Sequence, residues 1–418
     1  MMSPKIAWPI RCSQALLRGV QYRANVAELA GRLKKVRRFL ILAAIAWGTL
    51  HAETVLPLPF FNHAGTGNVA WIGESIAETL RDAMTPEGVL VLDRADRLEG
   101  YRRLSLRSGA ELTHASILKI GESLDASQVV YGSYDLPSKG TLRITARILN
   151  LKQTTQGPEF GETGPLDDLA ILEYRLSWDV LQQLHWKALQ PLDQFLQARP
   201  AVRLDAVESY IRGLLAATPD QRHSFFTRSA RLDPKYSQPC FQLGKIFWDR
   251  KDYKIAAGWL ERVAHSDPHY LEAQFFLGLC RYNMANFNGA EECFRTVSAA
   301  VPLNEVFNDM GAAQSRLNQS GAALSSFRKA LEGDTNDPDY YFNVGYCLWR
   351  SQQFDEAVEN FRAVLERNPA DTEATALLGR ALKKEGPRPG DPKSEARERL
   401  KNNYEEAAFR QLQAELGK

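Results

Sequence analysis

Glycine recurs through the second half of this chain at a fixed interval. It stands at Gly244, Gly278, Gly311, Gly345 and Gly379, spaced 34, 33, 34 and 34 residues apart. Twelve residues after each of the first four comes alanine: Ala256, Ala290, Ala323 and Ala357. Four further on stand Leu260, Phe294, Phe327 and Phe361, then Val263, Val297, Ala330 and Val364. Pro268, Pro302 and Pro369 close their units, whereas Pro338 is displaced by three residues. A period near 34 with small residues at two helical positions leaves few folds open. Each unit is a pair of amphipathic helices that cannot bury its apolar face alone, so units must stack. The glycine and the alanine mark where two backbones approach too closely for larger side chains.

The pattern resembles the tetratricopeptide repeat, a helix–turn–helix unit, over residues 205–385. A degenerate earlier copy ends in "FFTRSARLDP" at Pro234. The resemblance implies a curved solenoid whose first helices line a concave, ligand-binding face. Carried onto the matching positions, that face comprises Phe241, Lys245, Trp248, Phe275, Tyr282, Asn308, Arg316, Phe342, Tyr346, Trp349, Arg350 and Arg380, with Lys383 and Lys384 beyond. Aromatic and arginine side chains are favoured interface anchors. The expected partner is therefore a protein or peptide with apolar side chains and an acidic end. The Lys/Asn pattern of a two-carboxylate clamp is not evident. "GPRPGDP" (Gly386–Pro392) reads as a linker, and "SEARERLKNNYEEAAFRQLQAELG" (Ser394–Gly417) as a charged amphipathic capping helix within residues 386–418.

Ahead of the repeats the period changes. "TVLPLPFF" reads as a strand, placed at a sheet edge by Pro57 and Pro59. Ala70–Met84 is an amphipathic helix with Ile72, Ile76, Leu80 and Met84 on one face. "GVLVLDR" is a second strand, "THASILKIGESL" a second helix, and "SQVVYGSYDL" and "TLRITARILNL" two strands joined by the turn "PSKG". The order β-α-β-α-β-β gives a small mixed α/β domain over residues 53–165, and a multi-domain α+β chain overall. "VLPLPFFN", "WIGESIAETL", "VLVLDR" and "ASQVVYGSY…LRITARILNL" make it similar to the TolB amino-terminal-like domain, which implies an assembly or docking module. Residues 166–204 read as a helical bridge.

The amino terminus carries a different signal. Residues 1–52 hold nine of the 52 Lys/Arg and one of the 50 Asp/Glu, so the remainder has 43 basic against 49 acidic residues, a net −6. A mildly acidic body lacks the concentrated Lys/Arg that nucleic-acid binding needs. "KKVRRFLILAAIAWGTLHAE" pairs a basic stretch with a 12-residue apolar core, Phe39–Leu50, and a small residue at Ala52. Twelve residues fall short of the roughly 20 that span a bilayer. The segment is expected to be a cleaved signal peptide ending near Ala52, which places the body in the periplasm or otherwise outside the cytoplasm.

Signals for chemistry are thin. "GTGNVA" (Gly65–Ala70), with Asp93 after the next strand, has the outline of a dinucleotide fingerprint, but the strand ends four residues too early. Ser116 and Lys119 form an S-x-x-K without its companion motifs. His265 and His269 straddle Pro268 and so do not share a regular helical face. Cys240, Cys280, Cys293 and Cys347 include no C-x-x-C pair and read as small buried residues. The expectation is an exported, non-catalytic adaptor without cofactor or metal. The alternatives are a cytoplasmic signalling accessory and, third, a nucleotide-binding enzyme.

Overall fold

The computed structural model describes residues 54–107, 109–186, 189–199, 201–388 and 397–416. The expected signal peptide lies outside the described residues. The part from Glu53 onward forms one compact unit.

The first domain is built on a seven-stranded mixed sheet, β1 (Thr54–Pro57), β2 (Phe61–Asn62), β3 (Leu90–Val91), β4 (Gln128–Ser138), β5 (Thr141–Asn150), β6 (Thr155–Gln156) and β7 (Phe160–Pro165). Its main order is β3-β1-β4-β5-β6, with β2 beside β4 and β7 beside β5. Strands β3 and β4 flank β1 in parallel register, and β4 pairs antiparallel with β5. The edge position expected for β1 is therefore wrong. Pro57 is its last residue and Pro59 lies beyond it, so neither missing N–H interrupts the ladder; Leu58 N–H resumes bonding to Val130 O at 2.8 Å. Two strands more than expected, β6 and β7, follow the hairpin, and β2 forms a separate short pairing.

Helix α1 (Ile72–Met84) presents Ile72, Ile76, Leu80 and Met84 to the core, all fully buried. Gly73 lets it touch the sheet, because a Cβ there would lie 2.1 Å from Phe60 O. Helix α2 (Arg94–Arg103) is capped by Asp93, which accepts from Asp96 N–H at 2.9 Å. Buried Arg97 on α2 joins Glu74 and Glu78 of α1 at 2.6 and 2.7 Å, and donates to Pro57 O at 3.2 Å. Helix α3 (His114–Ser123) buries Ile117 and Ile120 in a separate cluster with Leu56, Val129 and Leu149 of the sheet. Asp93 is thus occupied as a helix cap, and Ser116 shares a hydrogen bond with Thr113 at that helix start.

Helix α4 (Leu169–Gln183) packs on α1, and the short α5 (Leu192–Gln197) follows. Then come the repeats: α6 (Leu204–Leu215) with α7 (Pro219–Leu232), α8 (Gln238–Asp249) with α9 (Tyr253–Leu260), α10 (Tyr270–Asn283) with α11 (Phe287–Ala300), α12 (Asn304–Arg316) with α13 (Ser320–Gly333), and α14 (Pro338–Arg350) with α15 (Phe354–Arg367). Helix α16 (Thr372–Leu382) is a lone first helix. Within each hairpin the glycine receives the ring or branched side chain of its own second helix. A Cβ at Gly278 would lie 2.7 Å from Phe294, one at Gly311 2.8 Å from Phe327, and one at Gly244 2.5 Å from Leu260. Those side chains therefore fill the space inside a repeat. Gly213 does the same against Phe226 at 2.5 Å, which extends the array to α6, whereas Gly379 faces nothing within 4 Å, and among the described residues no second helix pairs with α16. Pro338 sits in the first turn of α14, where its missing N–H costs nothing, and this explains its displacement. All four described cysteines are free and buried.

Helix α17 (Glu406–Leu416) starts twelve residues later than the expected capping helix and does not cap the last repeat. It packs on β3 of the first domain.

Candidate polypeptide-binding groove

The hollow face of the solenoid is filled by the chain's own tail. Residues 397–405, which form neither helix nor strand and bend at Asn402–Asn403, run from the last repeats back toward the first domain. Their backbone is held by side chains of first helices. Asn308 and Asn343 both donate from Nδ2 to Arg399 O at 2.8 Å, and Arg399 N–H donates back to Asn343 Oδ1 at 2.8 Å. The two asparagines are tied together at 2.7 Å and are fully buried. Asp309 Oδ1 accepts from Lys401 N–H at 2.8 Å, and Glu305 accepts from Glu405 N–H at 3.1 Å. Burial pushes the Asp309 carboxyl well above the usual carboxylate range, against the Lys401 N–H that lowers it. Asparagine amides that both give and take bind any extended backbone, because they read peptide groups rather than side chains.

Side chains of the tail enter two oppositely charged sockets. Glu398, with its side chain fully buried, accepts from Ser315 Oγ at 2.6 Å and from Tyr282 OH at 3.3 Å. It pairs with Arg316 at 2.6 Å and Arg350 at 3.3 Å. Arg399 turns the other way. It pairs with Asp371 at 2.7 Å, Glu373 at 3.1 Å and Asp339 at 3.2 Å, and its guanidinium lies 3.6 Å from the Phe342 ring centroid. Lys401 bridges Asp337 and Asp339 at 2.7 Å each. Burial disfavours the Lys401 cation, yet these carboxylates outweigh it and hold the ammonium above its ordinary range. The Asp371 carboxyl is held down chiefly by the Arg399 hydrogen bond, and it also caps α16 by accepting from Ala374 N–H at 2.9 Å. Further along, the Tyr404 ring meets Phe275 edge-on at 5.1 Å and its OH donates to Glu272 at 2.7 Å.

The residues nominated from sequence divide sharply. Asn308, Arg316, Arg350, Tyr282 and Phe275 touch the tail, and Phe342 lies under Arg399. Phe241 is buried and stacks on His269 at 4.8 Å. Tyr346 and Trp349 are buried within the last repeats, and Trp349 Nε1 donates to Glu385 O at 2.8 Å. Trp248 is half-buried against Tyr253 and Phe276, while Lys245 lies 3.5 Å above the Phe276 ring. Arg380 lies 4.7 Å above the Trp349 ring. The exposed aromatic anchors expected on the face are therefore mostly core. The sequence reading missed Asn343, Asp309, Ser315, Asp339, Asp371 and Glu373, and with them the acidic socket. Of the histidine pair, His265 packs on Tyr270, whereas buried His269 places Nδ1 3.3 Å from Asp267 and Nε2 3.3 Å from Arg81. Among the described residues no group of histidine, cysteine and carboxylate side chains is arranged to hold a metal.

The tetratricopeptide repeat family matches residues 338–371, the α14–α15 hairpin. A tetratricopeptide repeat-containing protein, trd-1 of Caenorhabditis elegans, is 24% identical over 196 residues, 43% of this chain and 25% of that protein. The probable UDP-N-acetylglucosamine–peptide N-acetylglucosaminyltransferase SPINDLY of Hordeum vulgare is 25% identical over 150 residues, 36% of this chain and 13% of its own. The chain thus spans a quarter or less of the length of these curated relatives. Among solved structures, YrrB, a tetratricopeptide repeat protein with an unusual peptide-binding site, is 21% identical, with 38% of this chain and 82% of YrrB covered and a TM-score of 0.34. Over residues 338–371 the chain is similar to the tetratricopeptide repeat family. The chain's particular architecture is a small mixed-sheet domain followed by an all-α solenoid whose groove holds its own carboxy-terminal segment.

Proposed function

We propose that the protein is a non-catalytic adaptor whose groove binds an extended segment of a partner polypeptide. The observation that carries this reading is the tail itself: a non-helical stretch held by paired asparagines through its backbone and sorted by charge through its side chains. The matched family and the peptide-binding site named for YrrB support it. The first domain, similar to the TolB amino-terminal-like domain, docks the adaptor to an envelope assembly. The basic–apolar segment ending near Ala52 exports it to the periplasm. The candidate catalytic residues have structural roles: Asp93 caps α2, and Ser116 hydrogen-bonds with Thr113 at the start of α3.

The groove is tested by selecting binders from a random peptide library on the full chain carrying Arg399→Asp, which loosens the tail. The same selection is run on that chain with Asn343→Ala added. Peptides enriched by the first and lost from the second place the site at the asparagine clasp; equal recovery from both refutes it. Export is tested by sequencing the mature amino terminus from fractionated cells. A mature chain retaining Lys5 or Arg11, recovered with the cytoplasm, would sink that part of the reading.

A further inference from the structure

The tail reaches two places at once. Its first five residues fill the groove, and its helix α17 lies on β3, the outermost strand of the first domain's sheet. There Phe409 is buried, and Arg410 pairs with Asp93 at 3.2 Å and with Asp96. Tyr404 links the halves, with its ring against Phe275 and 5.0 Å from Phe409. One short segment thus closes the groove and covers the sheet edge together.

The groove also specifies an order of charges. A carboxylate must enter between Arg316 and Arg350. The next residue must be a cation for Asp371 and Glu373, and the one two further along a cation for Asp337 and Asp339. The intervening Leu400 meets no charged socket. Reversing the first two charges would set like against like in both sockets, a juxtaposition that discriminates strongly between partners.

We propose that a partner polypeptide presenting Glu-Arg-x-Lys in an extended stretch displaces the tail from the groove, and that this releases α17 and uncovers the sheet edge at Leu90–Val91. The inference rests on reading the groove as a polypeptide site. The occupant is a separate partner rather than a second copy. Tails exchanged between two copies refill both grooves and both edges and so change nothing, whereas a segment lacking the Phe409–Arg410 helix leaves the edge open. Being on the same chain, the tail competes at an effective concentration on the order of millimolar. The native chain is therefore a weak binder until the tail is loosened.

The test uses a labelled peptide with the sequence of residues 397–405, titrated into the native full chain and into Arg399→Asp. A control peptide has its Glu and second Arg exchanged. The tail variant is expected to bind the peptide at least about tenfold more tightly than the native chain, and the control peptide is expected to bind neither. Lys401→Glu provides the same comparison if Arg399→Asp does not fold. Saturating the native chain should speed amide exchange about tenfold or more in residues 406–416 and at Leu90–Val91. Equal affinity for the native and loosened chains would show that the tail does not compete. Tight binding without faster exchange at Leu90–Val91 would show that groove and edge are not linked. Either result overturns this inference but leaves the groove a binding site. No binding to any chain would instead remove the adaptor reading itself. A dimer of Arg399→Asp with protected tails would replace the separate partner by a second copy.

Discussion

Removing the Glu398 carboxylate is the sharpest test of how the tail is held. In Glu398→Ala, Ser315, Tyr282, Arg316 and Arg350 lose a common acceptor at 2.6, 3.3, 2.6 and 3.3 Å. Breaking a buried ion pair from one side costs about 3–5 kcal/mol, since the stranded charge stays desolvated. The two arginine side chains are 21% and 29% exposed, so water recovers part of that loss once the tail lifts. The lower end, about 3 kcal/mol, applies, and it equals about two decades in the opening equilibrium. Amide exchange by mass spectrometry reads this directly, because Arg399 and Lys401 N–H groups are bonded to Asn343 and Asp309 only while the tail is docked. Protection across residues 397–405 should fall about a hundredfold, while the α14–α15 hairpin keeps its own. Glu398→Gln keeps hydrogen-bonding capacity without charge and should lose less. Glu356→Ala, which removes an exposed carboxylate at Arg328, should change nothing in the tail. A loss below about threefold would refute the latch, and an equal loss throughout the repeats would make Glu398 a core residue instead.

Gly278→Ala should destabilise the array by about 1–3 kcal/mol, because its Cβ would meet the buried Phe294 ring at 2.7 Å. Gly379→Ala at the same repeat position, with open space around it, should stabilise by about 0.5–1 kcal/mol, and thermal unfolding with local exchange compares the two. Burial pushes the Glu173 carboxyl from 4.5 up to about 7, despite the Thr79 hydroxyl at 2.8 Å. A raised carboxyl favours folding below its unfolded value, so stability should fall between about pH 4.5 and 7 by up to roughly 3 kcal/mol, and Glu173→Gln should flatten that decline in urea titrations. Asp309 is raised likewise, so tail protection should weaken as pH climbs above the ordinary carboxylate range; exchange in Asp309→Asn should lose that dependence.

Close approach was what the sequence recorded best. A glycine opposite a ring or a leucine in each two-helix unit is a steric statement that survives loop variation, and it fixed the helix pairs and their period. Turn geometry left no such trace. Lys251, Ala285, Asn318, Gln352 and Lys384 all adopt left-handed φ between 56° and 61° at the turn after the first helix, and none is glycine. The hairpin over-determines a conformation that each of these residues resists alone. The tail misled for the opposite reason. Its spacing of apolar and charged residues fits a helix from Ser394, but bonds from Asn308, Asn343 and Asp309 claim the backbone groups that helix would need, so the helix begins only at Glu406. The acidic socket was hidden because Asp337 and Asp371 also cap α14 and α16, and an aspartate before a helix is fully explained by capping.

The two kinds of contact in the groove divide the work of recognition. Paired asparagines hold peptide groups that every ligand has, so they add affinity without discrimination. Discrimination falls to the sockets, and there it comes as much from what they repel as from what they attract. An arginine placed between Arg316 and Arg350, or a carboxylate among Asp337, Asp339, Asp371 and Glu373, would lose hydrogen bonds and gain like-charge repulsion worth several kcal/mol. A groove of buried aromatics in place of these sockets would have accepted any apolar segment that fitted. Here the aromatics hold the repeats together, and in the reading proposed above the choice of a partner is left to charge order.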